Sequence, residues 1–125
     1  MQMAVVEDPG AVIVNFHAHI YFDPQELELA QSLGEAARAR FGVAVGRFHV
    51  QPVGPHPRGS CQLTVATEAF GAVIPWLALN RQALTIFAHP NTGDDLADHT
   101  DHVIWLGPSE TLRLEGFRRR AGNGG

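Results

Sequence analysis

The sequence predicts one α+β domain with a ferredoxin-like βαββαβ fold, in which two helices cover one face of a four-stranded antiparallel sheet. Three observations lead to this fold class. Strand-like and helix-like segments follow one another in the order β-α-β-β-α-β. The 125 residues are enough for one hydrophobic core, and the chain shows no internal repeat. We expect the domain to span residues 11–117, with a leader at residues 1–10 and a flexible tail at residues 118–125.

The first strand is predicted at residues 12–22, which are rich in β-branched and aromatic side chains. Side chains alternate along a strand, so Phe16 and Ala18 should face the helices while His17, His19 and Tyr21 face away. A helix should begin at residues 23–26, where an aspartate, a proline and a glutamate form a capping-box-like start, and should end at the glycine that follows residue 41.

The remaining elements follow from local composition. Strands are predicted at residues 43–49, 61–65 and 83–88, and a proline-rich loop at residues 51–57 interrupts regular pairing. Thr67 should cap the second helix and Pro75 should kink it. Residues 91–107 are turn-rich and acidic, with a short helix or turn at residues 96–102. In a βαββαβ sheet the strands lie in the order 4-1-3-2.

Composition excludes several kinds of chemistry. The net charge is −4, so no basic surface indicates a nucleic-acid partner. All nine basic residues are arginines, which excludes lysine Schiff-base chemistry. The single cysteine, Cys61, excludes an internal disulfide and fits a cytoplasmic protein. No apolar run reaches the ~20 residues that span a bilayer.

Seven histidines in a domain of this size suggest a metal or acid-base site, because imidazole is both a common metal ligand and a general base near neutral pH. The predicted topology gathers His17, His19, His49 and His89 at one edge of the sheet, on the face that the helices leave open. Two ligand sets remain possible from this pattern: histidines alone, or two histidines with a carboxylate. The candidate carboxylates are Asp94, Asp95 and Asp98. Three arginines could bind a substrate carboxylate or simply be solvated: Arg47, Arg58 and Arg81.

Five sequence blocks then resemble one family. They are H-A-H-I-Y-F at 17–22, V-G-P-H-P at 53–57, P-W-L-A-L-N-R at 75–81, H-P-N-T-G-D-D-L-A-D-H at 89–99 and W-L-G at 105–107. In this order and spacing they resemble the DOPA 4,5-dioxygenase family over about residues 15–117. The resemblance implies a ferredoxin-like homodimer that cleaves the ring of a catechol such as DOPA, using a non-haem Fe(II) ion and O₂.

The resemblance also assigns roles to individual residues. It implies that the family's recurring histidines are His19, His49, His56, His89 and His99. Of these we expect His19, His49 and His89 to bind the metal and His56 and His99 to be catalytic, with the roles of the first four such histidines open to exchange. On the substrate side we expect His17, Arg47 and Arg58, whereas His102 should lie at the surface. The Arg58-Gly59 pair departs from the bulkier apolar pair that often follows V-G-P-H-P in the family. An alternative is therefore a non-catalytic, small-molecule-binding dimer of the same fold, and a cofactor-independent monooxygenase is a third possibility.

Overall fold

The computed structural model describes residues 3–123, which form an antiparallel sheet with helices and loops on both faces. The five strands are β1 (Phe16–Phe22), β2 (Ala44–Val45), β3 (Gly59–Val65), β4 (Thr85–Pro90) and β5 (Ile104–Leu106). The α-helices are α1 (Leu27–Phe41), α2 (Phe70–Asn80), α3 (Asp95–Asp98) and α4 (Glu115–Asn123). Short 3₁₀ helices occupy Pro9–Ala11, Pro24–Glu26 and Thr67–Ala69.

The strands lie in the order β2-β3-β1-β4-β5, and each neighbouring pair is antiparallel. The first four strands therefore take the predicted order, but the prediction of a four-stranded sheet is wrong because β5 adds a fifth strand beside β4. β5 is only three residues long and lies in a turn-rich segment, which left no alternation pattern to reveal it. It is held by pairing with β4, in which Trp105 lies opposite Phe87.

Several strands begin or end at residues other than those predicted, because their ends depend on backbone pairing and the predictions were based on local composition. β1 begins at Phe16 instead of residue 12, and β4 extends through His89 and Pro90. The strand expected at residues 43–49 shortens to two residues. Beyond it the backbone hydrogen bonds to β3 within residues 3–123 are that of the Gly46 amide to the Gln62 carbonyl and those of an isolated bridge between His49 and Ser60.

The first predicted helix is confirmed, with its start and end as expected. The Glu26 carboxylate accepts the Asp23 amide hydrogen at 2.8 Å, and a single 3₁₀ turn leads into α1. Gly42 ends the helix with φ of 71°, a left-handed conformation that favours glycine. The predicted Thr67 cap is wrong, because the Thr67 hydroxyl is buried without a hydrogen-bond partner among residues 3–120.

The C-terminal segment also differs from expectation. Residues 118–123, expected in a flexible tail, form the second half of α4. Residues 1, 2, 124 and 125 of the expected leader and tail lie outside the described part of the chain. No helix between residues 3 and 123 is both long and apolar enough to cross a membrane.

The hydrophobic core lies between the sheet and the two long helices. The β1 side chains Phe16, Ala18 and Ile20 pack with Leu33 of α1 and Leu77 of α2, as the strand alternation predicts. The opposite face is not open, contrary to expectation. On that face Tyr21 and Phe87 are fully buried, and His19 and His89 are only 4% and 1% exposed. The reason is that loops cover it: His56 of the proline-rich loop packs against His19, and His99, which follows α3, packs against Phe87 and His89.

Two leucines of α2 provide a matched test of this core. Leu77 is fully buried, whereas Leu79 is 87% exposed on the same helix. We expect Leu77→Ala to lower the free energy of unfolding by about 2–5 kcal/mol, because it removes apolar contacts and leaves a cavity. Leu79→Ala should change it by less than about 0.5 kcal/mol. Urea unfolding of both variants checks this, and equal losses would contradict the core as described.

Candidate functional site

Three histidines meet on the covered face of the sheet. His17 and His19 lie on β1, and His89 lies on β4 directly opposite His17 in the antiparallel register. One ligand nitrogen from each lies within 4.8 Å of the others. The Nε2 atoms of His19 and His89 are 3.2 Å apart. We call His17, His19 and His89 the histidine triad.

The orientation of His89 suits a metal ligand. Its Nδ1 lies 2.9 Å from the Pro90 carbonyl oxygen, which can only accept a hydrogen bond. Nδ1 therefore carries the hydrogen and Nε2 presents its lone pair toward His19. Metal-binding histidines commonly use such a second hydrogen bond to fix the ring and its tautomer.

Burial keeps the triad in the neutral form that binds metals. It lowers the pKa of His89 to about 4, against an ordinary value of 6.5. Burial also holds the pKa of His19 well below 6.5, and the neighbouring histidines lower it further. The pKa of His17 is lowered by its partial burial and then by His99. At neutral pH the three rings are therefore uncharged and do not repel a cation.

The donor set fits a divalent transition metal. Bonds of about 2.1 Å from imidazole nitrogen to metal place adjacent ligands about 3 Å apart, close to the 3.2 Å between His19 and His89. Imidazole ligands suit iron, zinc, copper and nickel. The triad therefore defines the position of a bound ion. Three imidazole ligands do not select one of these four metals.

A cavity of about 260 Å³ adjoins the triad on the β3 side. His19 contributes to its wall together with three residues that the sequence assigned to the site: Arg47, His49 and His56. His49 is not part of the triad, although it was the expected metal ligand. His49 pairs with Ser60 of β3, and β3 separates it from β1, so His49 faces the cavity. His17, which lies opposite His89, completes the triad instead.

His56 reaches this cavity from the proline-rich loop. It is 7% exposed, and its ring centroid lies 4.2 Å from that of His19. Burial, followed by the charges of neighbouring histidines, lowers its pKa to about 4. Its Nδ1 lies 2.7 Å from the hydroxyl of Tyr21, a residue to which the sequence had assigned no role. The available signal was the alternation of β1, which places Tyr21 on the same face as His17 and His19.

His99 approaches the triad from the other side. Its ring centroid is 4.1 Å from that of His89 and 4.4 Å from that of Phe117 in α4. Its Nδ1 lies 2.6 Å from the Asp95 carbonyl oxygen, so this ring is also fixed. The structure thus brings His99 to the site, whereas His102 is exposed at the surface.

The three candidate carboxylates serve the turn around α3. The buried Asp98 carboxylate accepts hydrogen bonds from the amide and the hydroxyl of Thr92, at 2.8 and 2.7 Å. Asp94 caps α3 by accepting the Ala97 amide hydrogen at 3.1 Å. Asp95 lies 3.6 Å from Arg120. Among the described residues, the group that can hold a metal consists of histidines alone.

Arg58, expected on the substrate side, makes ion pairs within the chain. Its guanidinium donates to both oxygens of Glu110, at 3.0 and 2.8 Å, and to Asp23 at 3.2 Å. Carboxylates of the chain itself thus engage three of the five N–H groups of this guanidinium. The adjacent Gly59 is equally constrained, because a Cβ atom there would lie 2.7 Å from the Phe22 carbonyl oxygen. Arg81 donates to the Leu84 carbonyl, away from the site.

The fold and the histidine triad define a small α+β domain with a buried group of ligands for a metal ion beside a cavity. The sequence matches the DOPA 4,5-dioxygenase family over residues 16–116, and the chain belongs to that family. The match includes all three residues of the triad.

Individual relatives agree with this assignment. A DOPA 4,5-dioxygenase from Amanita muscaria is 37% identical, over 82% of this chain and 49% of the relative. An uncharacterised 21.2 kDa protein from Botryotinia fuckeliana is 36% identical, over 83% of this chain and 63% of the relative. The chain thus spans less than two thirds of either one. The crystal structure of a proposed dioxygenase from Nostoc punctiforme has a TM-score of 0.85 and 41% identity, covering 92% of this chain and 99% of that one.

The buried histidines should make the metal-free protein sensitive to acid. His56 and His89 have folded-state pKa values of about 4, whereas the unfolded chain protonates them near 6.5. Between these values the unfolded state binds more protons. The free energy of unfolding should therefore fall as the pH drops from 6.5 toward 4, by up to about 1.4 kcal/mol per pH unit for each histidine.

Urea unfolding of chelator-treated protein across this pH range measures the effect. His89→Gln should flatten the pH dependence, because it removes one of the groups whose pKa changes on unfolding. His102→Gln, at an exposed position, should leave the dependence as it is. A free energy of unfolding that stays constant between pH 6.5 and 4 would show that these histidines are not held neutral by burial.

Metal binding distinguishes the observed triad from the ligand set expected from sequence. His17→Gln and His89→Gln should each weaken Zn²⁺ or Co²⁺ binding by more than about tenfold, because each removes one of three nitrogens. His49→Gln should bind with nearly the original affinity and stoichiometry. Calorimetric titration of the three variants, with His102→Gln as the surface control, gives the comparison. If His49→Gln loses the metal and His17→Gln keeps it, the ligand set expected from sequence is correct.

Proposed function

We propose that this protein is an extradiol dioxygenase that inserts O₂ into the ring of a catechol at a non-haem Fe(II) ion. The observation that carries the proposal is the position of the neutral histidine triad beside a cavity lined by further histidines, in a chain of the DOPA 4,5-dioxygenase family. His17, His19 and His89 would hold the ion. When bound, Fe(II) would hold catechol and O₂ side by side and supply the redox chemistry that histidine side chains lack.

The size and lining of the cavity favour a single-ring substrate. Its volume of about 260 Å³ lies just below the range of about 300–1,000 Å³ that is typical of drug-sized ligands. The exposed Arg47 lines it and is not engaged in an ion pair among the described residues. A guanidinium in that position can bind a side-chain carboxylate in a bidentate manner, which supports a catechol with an acidic substituent such as DOPA.

The chain also supplies groups that move protons. A catechol hydroxyl loses a proton as it binds a metal, and a neutral imidazole within hydrogen-bond reach can accept it. His49 and His56 both line the cavity beside His19 and are the acid-base candidates on this side. His99, which packs against His89 and Phe117 with tilted rings, is the candidate on the other side.

The aromatic rings of Phe87 and Trp105 should keep water away from the reacting groups. Phe87 is fully buried on β4, with its ring centroid 5.8 Å from that of His19 and 5.4 Å from that of His89. Trp105 of β5 covers its other side at 4.7 Å. Exclusion of water strengthens each electrostatic contact in the site and limits side reactions of activated oxygen.

The Arg58-Gly59 departure from the family pattern no longer favours a non-catalytic binding protein. Arg58 is fixed by ion pairs and Gly59 by the close approach of β1, so both residues have structural reasons to be where they are. A homodimer and a cytoplasmic location also belong to this proposal. The buried, reduced Cys61 is compatible with that location, and burial raises the pKa of its thiol to about 12.

Anaerobic reconstitution tests the proposed reaction. The chain should bind about one Fe(II) per protein and then consume O₂ and a catechol in equal amounts, giving a yellow ring-opened product. A catechol with a carboxylate substituent should have a lower KM than catechol itself, and Arg47→Gln should remove that difference. His89→Gln serves as the control without iron. If Fe(II) binds and every catechol in a broad panel remains intact, the dioxygenase proposal is wrong.

A further inference from the structure

The hydroxyl group of Tyr21 has no part in the reaction outlined above. Tyr21 is fully buried on β1, and its hydroxyl oxygen lies 2.7 Å from Nδ1 of His56. A phenol keeps its proton near neutral pH, because its ordinary pKa is about 10. Two arrangements of this short hydrogen bond are therefore possible. Either the Tyr21 hydroxyl donates to Nδ1 of His56, or a hydrogen on Nδ1 is donated to the Tyr21 oxygen.

Hydrogen-bond accounting decides which group donates. Among the residues whose side chains are described, His56 is the hydroxyl's one hydrogen-bond partner. The Glu110 carboxylate accepts from Arg58, and among the described residues no hydrogen bond joins it to the Tyr21 hydroxyl. If Nδ1 carried a hydrogen and donated to Tyr21, the phenol proton would be left buried without an acceptor, which is unfavourable. If Tyr21 donates to Nδ1, both groups are satisfied.

The surroundings hold Tyr21 in this position. Its ring packs beside the adjacent rings of Phe87 and Trp105, with both centroid distances 6.1 Å. The Arg58 guanidinium lies 6.0 Å from the Tyr21 ring centroid, at cation–π range, and is itself fixed by Glu110. The side chain is therefore enclosed on several sides, and its hydroxyl stays directed at His56.

We infer that Tyr21 is a positioning residue, whose hydroxyl donates to Nδ1 of His56 and fixes this neutral imidazole with its hydrogen on Nε2. His56 then offers a hydrogen-bond donor, not a base, to the cavity that it lines. This step rests on the proposed function: the Nε2 hydrogen of His56 would be accepted by a substrate oxygen on which negative charge develops. The remaining base candidate on this side of the triad is then His49, which lines the same cavity.

Nitrogen-15 NMR of the full chain tests the tautomer without reference to turnover. Histidine-labelled protein with bound Zn²⁺, a diamagnetic ion, is recorded at about pH 8, where an ordinary imidazole is neutral. A long-range proton–nitrogen spectrum distinguishes protonated from unprotonated ring nitrogens, and His56→Gln assigns the signals. His56 should show a protonated Nε2 and an unprotonated Nδ1. A hydrogen on Nδ1 in the wild-type protein would overturn the inference, whether or not any variant folds.

Tyr21→Phe tests the cause of the tautomer. This variant keeps the ring and removes the donor, so the Nδ1 signal should shift and the second tautomer should appear. Trp105→Phe, which alters ring packing beside Tyr21 and keeps the hydroxyl, should retain the wild-type tautomer. If Tyr21→Phe also retains it, Tyr21 does not fix His56 and the inference fails.

Turnover separates this inference from the proposed reaction. With a catechol that the wild-type protein cleaves, Tyr21→Phe should lower kcat by at least about tenfold with metal affinity nearly unchanged. His49→Gln should also lower kcat by at least about tenfold, and an unchanged kcat would overturn the assignment of His49 as the base. Absence of any catechol cleavage would refute the dioxygenase proposal alone, since the spectrum decides the tautomer independently.

Discussion

The antiparallel register between β1 and β4 is the constraint on which the site depends. It places His17 opposite His89 and His19 opposite Phe87, so that three imidazoles share one face of the sheet. Because side chains alternate along a strand, a slip of β1 by one residue would turn His17 and His19 into the core and the core residues Ala18 and Ile20 toward the site. The apolar face therefore fixes the register, and the register in turn fixes the histidines.

A second layer makes these histidines chemically useful. The proline-rich loop carries His56 over the sheet and joins the C-terminal segment through the Arg113 amide, which donates to the Pro55 carbonyl at 2.8 Å. The ion pair between Arg58 and Glu110 connects the same two segments at 2.8 Å. Without this layer the imidazoles would face water and keep ordinary pKa values near 6.5. Burial is thus what keeps them neutral, and it is produced by loops and not by the long helices.

The sequence predicted those features that depend on local patterns. Alternation placed His17, His19 and Tyr21 on the face of β1 opposite the helices, and the start and end of α1 followed from Glu26 and Gly42. Features that depend on distant pairing were missed. β5 is too short to have a pattern, the early end of β2 moved His49 away from the triad, and no local signal showed that residues 55 and 113 would meet. The same limit applies to Tyr21, whose partner is 35 residues away.

The 3.2 Å contact between His19 and His89 shows how the metal-free site differs from one that binds an ion. Two facing Nε2 atoms need one hydrogen between them. His89 carries its hydrogen on Nδ1, toward Pro90, so the shared hydrogen belongs to Nε2 of His19. An ion bound by both Nε2 atoms must take the place of that hydrogen, and His19 must then become the Nδ1 tautomer. In the metal-free protein His19 and His89 therefore hydrogen-bond to each other, which lowers the free-energy cost of burying two imidazoles. Metal affinity is reduced by the free energy of breaking this one hydrogen bond and changing one tautomer, while His89 is already arranged to bind.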